Sequence, residues 1–130
     1  DVAQREKSNL KTDVLPVPVW LDAYARRKLM TVCHANADRL LYANTDGCIL
    51  SGWEPVRSCD IHPPELGKWK IAARYEKLTI LGMNRYQGWR EDDGEVDVCM
   101  AGNMFSQPIP YEQFRHGTQV VDDYGTMVML

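Results

Sequence analysis

A chain of 130 residues with net charge −3 holds one domain, or one domain and a small appendage. Its hydrophobic fraction of 45% is that of an ordinary globular protein, which leaves room for a core of modest size. The acidic balance and pI near 5.6 argue against tight, autonomous binding of nucleic acid, because phosphate contacts need clustered Lys and Arg.

The N-terminus opens Asp-Val-Ala-Gln-Arg-Glu-Lys, without a secretory pattern or an initiator Met, so a piece of a longer chain is expected. No apolar run approaches membrane-spanning length, and mean hydropathy is −0.40. Cys33, Cys48, Cys59 and Cys99 show no Cys-x-x-Cys pair, so they read as free thiols in a reducing cytoplasm. Cys59-Asp60-Ile61-His62 is a weak zinc hint with no visible further ligands.

In chain order, residues 1–12 are polar and read as frayed. Pro16 and Pro18 set the entry to a helix predicted over 19–37, whose apolar stripe is Leu21, Ala25, Leu29, Val32 and Cys33. Trp20, Tyr24 and Met30 widen that stripe, so a well-covered helix is expected. His34 at its end reads as solvated or capping.

A tight hairpin is predicted over 39–51, where Leu40-Leu41-Tyr42-Ala43 rises to Asn44-Thr45-Asp46-Gly47 and Cys48-Ile49-Leu50 descends. An ordinary connector is the commoner meaning of such a turn, but a carboxylate at the apex is also placed to grip a divalent cation. A Pro- and Gly-rich loop spans 52–67. Two strands or an extended pair are predicted over 69–74 and 77–90, with a partly helical 66–77 as the alternative. An acidic Asp-Gly turn at 91–95 and a returning strand at 96–100 follow. A short helix near 111–115 and a hairpin of 118–122 with 126–130 complete the chain. Arg74, Lys77, Arg85 and Arg90 interleave with Tyr75, Tyr86 and Trp89, as on a backbone-contacting face or any half-exposed strand. Asp122 and Asp123 read as a solvated hairpin end, since neighbouring carboxylates on a strand diverge. The layout is α+β, an antiparallel sheet with a packed helix followed by a small hairpin.

The segment Tyr42-Ala43-Asn44-Thr45-Asp46-Gly47 resembles the Tyr-x-Asp-Thr-Asp-Ser motif of family B DNA polymerases, and in particular their protein-primed branch. Four further segments resemble that family in the same order. They are Leu66-Gly67-Lys68-Trp69 with the run to Tyr86, Val98-Cys99-Met100-Ala101-Gly102-Asn103-Met104, Tyr111 to Gly117, and Val120-Val121-Asp122-Asp123. Their collinearity, from about residue 10 to the C-terminus, is more specific than any one motif.

The resemblance implies the C-terminal half of a polymerase palm over 1–100 and a thumb-like segment over 101–130. It also implies primer extension by two-metal nucleotidyl transfer. Asp46 is then the metal ligand for Mg²⁺ or Mn²⁺, Tyr42 packs beneath the tip, and Thr45 is the motif's central Thr. Asn44 stands where the family has its first Asp, and a carbonyl oxygen there supplies no charge. Gly47 stands for the usual Ser. Tyr86 matches the Tyr of Lys-x-Tyr, but Asn84 replaces its Lys. Arg85 and Lys77 complete the implied DNA-contacting set.

The implied partners are primer-template DNA, a deoxynucleoside triphosphate and a terminal protein, in the cytoplasm of a bacterial host of a phage or prophage. The Asp-x-x-Ser-Leu-Tyr-Pro and Lys-x-x-x-Asn-Ser-x-Tyr-Gly motifs do not occur in these 130 residues, and no exonuclease acids are recognisable. The chain by itself is therefore expected to be inactive and to hold metal weakly or not at all. Asn44 and Asn84 fit equally a working enzyme with substituted ligands and a degenerate remnant that binds DNA or a terminal protein. An unrelated α+β domain whose hairpin mimics the motif is the third reading.

Overall fold

The computed structural model describes residues 16–130, so the expected fraying of 1–12 lies outside the described residues. The chain divides into two compact units, one ending at Cys59 and the other running Asp60–Leu130.

The first unit is built on α1, Pro16–Ala35, followed by one 3-10 turn at Ala37–Arg39. Pro16 and Pro18 sit in the first turn, where a missing N–H costs no helical bond. The hairpin β1, Leu40–Asn44, and β2, Gly47–Leu50, comes next. Asn44 faces Gly47, so only Thr45 and Asp46 form the turn, and Thr45 takes a φ of 38°. The predicted hairpin is present, with a bulge between Leu40 and Tyr42 that leaves Leu41 exposed.

The helix is not covered along its length as expected. Leu29, Val32 and Cys33 are buried, whereas Trp20, Leu21, Tyr24 and Met30 are exposed. Within this unit the helix packs on β2 only through its C-terminal turns, so its N-terminal apolar positions meet no covering element there. His34 is exposed, as expected. Among the described residues no helix is long and apolar enough to cross a membrane.

The loop after β2 is tied down by two buried polar side chains. Asn36, fully buried, donates from Nδ2 to the carbonyls of Val32 and Arg57, and its Oδ1 accepts from Arg57 N. Arg39 donates to the carbonyls of Glu54 and Pro55. The Arg57 guanidinium then forks onto Asp38. The backbone of Glu54, Pro55 and Arg57, which lies outside regular structure, thereby gains fixed partners.

In the second unit an antiparallel sheet has the order β3, Tyr75–Gly82, β4, Arg85–Arg90, and β5, Val96–Met100. The run 77–90, predicted as one strand, is a hairpin. Asn84 adopts a φ of 55° in the turn after Gly82-Met83, a conformation Asn tolerates better than most residues. Residues 70–74 form no strand, and Trp69 makes only an isolated bridge to Ile61. The returning strand 96–100 is where the Asp-Gly turn placed it. The expected helix at 111–115 is a single turn closed on the Pro110 carbonyl. The last hairpin, β6, Gln119–Val121, and β7, Met127–Met129, is shorter than predicted but in the predicted pairing. The fold is thus α+β, with antiparallel pairing in every sheet.

The core of this unit is Met100, Ile109, Phe114, Val128 and Leu130, with Leu81, Val98, Phe105 and Val120 against it. It lies between one face of the sheet and the segment after Met100. Gln87, fully buried on that face, grips the backbone of Ile109, donating from Nε2 to its carbonyl at 2.6 Å and accepting its N–H at 2.9 Å. Asp122 corrects the expectation of a solvated end. It is 6% exposed, and its carboxylate accepts from the N–H groups of Tyr124 and Thr126 and from Asn103 Nδ2. The carboxylate of Asp122 turns back over its own turn instead of pointing outward, a local closure that Asp favours.

Replacing Gln87 with Ala orphans both polar groups of Ile109 in a buried setting. The Gln87→Ala protein is expected to unfold in urea with a loss of about 2–4 kcal/mol, and a value under about 0.5 kcal/mol rules out this clamp as a main fastening. Gly88 carries the ring of Tyr75, since a Cβ there would stand 2.7 Å from ring carbons. Gly88→Ala is expected to lower stability by about 1–3 kcal/mol by the same denaturation measurement.

Candidate functional site

The hairpin tip presents Asp46 to solvent, one residue past a strained Thr45. A two-residue reversal leaves no room for either turn side chain to fold back between the strands. Thr45 donates its hydroxyl to the Asn44 side-chain carbonyl at 3.0 Å. The amide oxygen that stands in the position of the family's first acid is therefore already engaged. Tyr42 is half-buried two residues below Asn44 on β1 and pairs with Ile49. Tyr42, Asn44, Thr45 and Asp46 are brought together simply because they share one ribbon end.

The donor set at this tip is one free-standing carboxylate and one amide oxygen. Mg²⁺ is commonly held by one or two carboxylates with waters filling its octahedron, so Asp46 fits the role of a single ligand. No group of three or more His, Cys, Asp or Glu able to hold a metal occurs among the described residues. The weak zinc hint at Cys59 and His62 accordingly gathers no ligand set.

Below the tip, β2 carries the half-buried Cys48. Burial first, then Cys33 and Cys59, push the Cys48 thiol up to about 11. All four cysteines are free.

In the second unit the predicted DNA-contacting residues are distributed over two faces of the sheet. Strand alternation places Lys77 and Arg85 on the face with Gln87 and Trp89, and Tyr86 on the opposite face with Gly88 and Arg90. Arg85 donates to the Met129 carbonyl at 3.1 Å, which ties it to β7. The Lys77 ammonium stands 5.2 Å from the centroid of Tyr111, whose ring meets Trp89 edge-on. Asn84 occupies the turn between the strands.

On the other face the Arg90 guanidinium forks onto Asp97 at 2.8 and 2.9 Å, and the Tyr75 hydroxyl donates to Asp97 at 2.8 Å. Arg90 is the main cause holding the Asp97 carboxyl below the usual carboxylate range, with Tyr75 assisting against the opposing effect of burial. Burial, and then the Asp97 carboxylate, push the Tyr75 phenol up. Sequence reasoning placed Arg90 and Tyr75 on a polar face but missed Asp97. The signal was present, since counting strand register outward from the Asp-Gly turn sets Asp97 opposite Gly88, between Tyr75 and Arg90. Nothing in the sequence marked Gln87, and Tyr111 was marked only as the start of a segment resembling the family, not as a partner of Lys77 and Trp89.

Over 89 residues, or 65% of its length, the chain is 32% identical to a protein of Bacillus phage Nf named DNA polymerase, and equally to its counterpart in Bacillus phage M2. It spans 16% of the length of each of these curated relatives. No family model and no solved structure matches it. The resemblance read from the five collinear segments is thus borne out as similarity to phage DNA polymerases.

Because the folded pKa of Asp97 is depressed, its stabilising contribution is complete above the unfolded value of about 3.9 and is lost as the pH falls through the lower folded value. Asp38 and Asp122, also depressed, act in the same direction. Stability measured by thermal unfolding is expected to drop below about pH 4, and Asp97→Asn should be less stable at pH 7 yet lose less between pH 5 and pH 3. An unchanged acid slope in that variant would count against the Arg90–Asp97–Tyr75 network.

Proposed function

We propose that this chain serves as the C-terminal half of the palm, 1–100, and the thumb-like segment, 101–130, of a protein-primed DNA polymerase. The observation that carries the reading is Asp46 standing exposed at the apex of a two-residue hairpin, within a chain similar to phage DNA polymerases. In this reading Asp46 supplies one carboxylate to Mg²⁺ or Mn²⁺, with Tyr42 and Thr45 shaping the ribbon end and Asn44 in the place of a second acid. A cation held by Asp46 would supply Lewis-acid stabilisation of the charge that develops in nucleotidyl transfer. The hairpin's own contribution is positional, since it holds a charged oxygen donor clear of the strands.

Lys77, Asn84, Arg85 and Tyr86 are proposed to meet primer-template DNA. The incoming deoxynucleoside triphosphate and a terminal protein are proposed partners of the whole polymerase. The acidic net charge fits a segment whose DNA affinity depends on other parts of that protein.

One observation favours a second reading, a non-catalytic remnant that contacts DNA or a terminal protein. The Asn44 carbonyl oxygen is occupied by the Thr45 hydroxyl, and Asn44 brings no charge to the tip.

Mn²⁺ titration followed by electron paramagnetic resonance distinguishes the two. Under the polymerase reading the chain binds Mn²⁺ weakly, Asp46→Asn abolishes binding, and Asn44→Asp tightens it about tenfold, the effect of one added charge at a surface site. No binding by either the unaltered chain or Asn44→Asp would leave the remnant reading. The 130-residue chain alone is expected to give no primer extension, and a metal-dependent product would overturn its description as an incomplete enzyme.

A further inference from the structure

Lys77 on β3 and Trp89 on β4 are directly paired in the register, so their side chains share one face of the sheet. On the same face Gln87 grips the backbone of Ile109, two positions before Tyr111. The Pro110 carbonyl accepts from the N–H groups of Gln113 and Phe114, and the Phe114 side chain is fully buried. Tyr111 is therefore held from both sides along the chain, although it is 40% exposed. Its ring meets Trp89 with 5.2 Å between centroids and 78° between planes, and the Lys77 ammonium stands 5.2 Å from its centroid. Lys77 is exposed, and among the described residues no carboxylate forms an ion pair with it. A ring face attracts an ammonium without cancelling its charge, so N–H donors directed away from the ring stay available to an outside anion.

We propose that Tyr111 is the positioning residue for Lys77: its ring, braced on Trp89, holds the ammonium ready for a phosphodiester oxygen of DNA. The inference rests on the reading of Lys77 as a DNA contact and names what orders that contact. A lysine stem in free solution is flexible and loses rotamer freedom when its ammonium is captured. An ammonium already seated on a ring has lost that freedom on folding, so a phosphate binds it more tightly. The ring supplies this effect, and the Tyr111 hydroxyl is not needed for it.

The test uses the 130-residue chain with a dye-labelled primer-template duplex over a series of low salt concentrations, together with NMR of the Lys77 side chain. In the unaltered chain the Lys77 ε-methylene protons are expected upfield of their random-coil position, shifted by the Tyr111 ring. Tyr111→Leu should remove that shift and weaken DNA binding about two- to fivefold, the size of an exposed cation–π contact. Tyr111→Phe should retain both the shift and the affinity. Lys77→Gln should lower the slope of log affinity against log salt by about one, and Tyr111→Leu should have no further effect in that background. A ring needed only for folding would act equally in both backgrounds, and that result overturns the inference, as does an unshifted Lys77 resonance. A lowered slope in Lys77→Gln with unaltered binding by Tyr111→Leu overturns this inference alone. An unchanged slope in Lys77→Gln, or no binding by the unaltered chain, overturns the reading of Lys77 as a DNA contact and this inference with it. The NMR shift in the unaltered chain and the ring-retaining Tyr111→Phe keep the inference falsifiable if Tyr111→Leu fails to fold.

Discussion

Buried polar side chains that satisfy the backbone of irregular segments hold this protein together. The buried polar residues among those described are Asn36, Arg39, Gln87 and Asp122, and each bonds to main-chain groups outside regular structure. The physical demand is general, since a peptide group removed from water without a partner costs about as much as a lost hydrogen bond. Here helices and sheets account for only part of the chain, and long connections would otherwise leave such groups stranded. Asn36 and Arg39 serve the loop after the hairpin, Gln87 serves Ile109, and Asp122 closes its own turn.

This constraint also shapes what is left available for chemistry. Asp122 and Asp97 are committed to hydrogen bonds that fasten the second unit, and Asp38 is committed to Arg57. Asp46 differs from them in its setting, because the two-residue turn beneath it presents the side chain outward. A carboxylate with that setting is suited to an outside ligand, whereas the others already stabilise the fold. The neighbouring Asn44 is intermediate: it sits at the ribbon end, but its carbonyl oxygen accepts the Thr45 hydroxyl.

Strand alternation imposes the second division. Tyr86 cannot share a face with Arg85 once both lie on β4, so the basic and aromatic residues of this stretch serve two surfaces. One surface closes on Ile109 and Tyr111, and the other carries the Tyr75–Asp97–Arg90 network. Gly88 belongs to the second, where the Tyr75 ring needs the space a side chain would take.

The sequence by itself determined the elements whose signals are local. Asn-Thr-Asp-Gly between apolar runs set the first hairpin, Asp93-Gly94 set the return into β5, and Asp123-Tyr124-Gly125 set the last reversal. The collinear motifs likewise carried the similarity to phage DNA polymerases. Other features depended on partners distant in the chain, and only the tertiary structure decided them. The apolar stripe of α1 was legible, but the packing of the helix's C-terminal turns on β2 determined that Leu29 and Val32 are buried while Trp20 and Leu21 are exposed. Asn84 was read only as standing in place of the motif's Lys, within a stretch predicted as one strand, and its left-handed φ, which splits 77–90 into two strands, became evident only with the strand pairing.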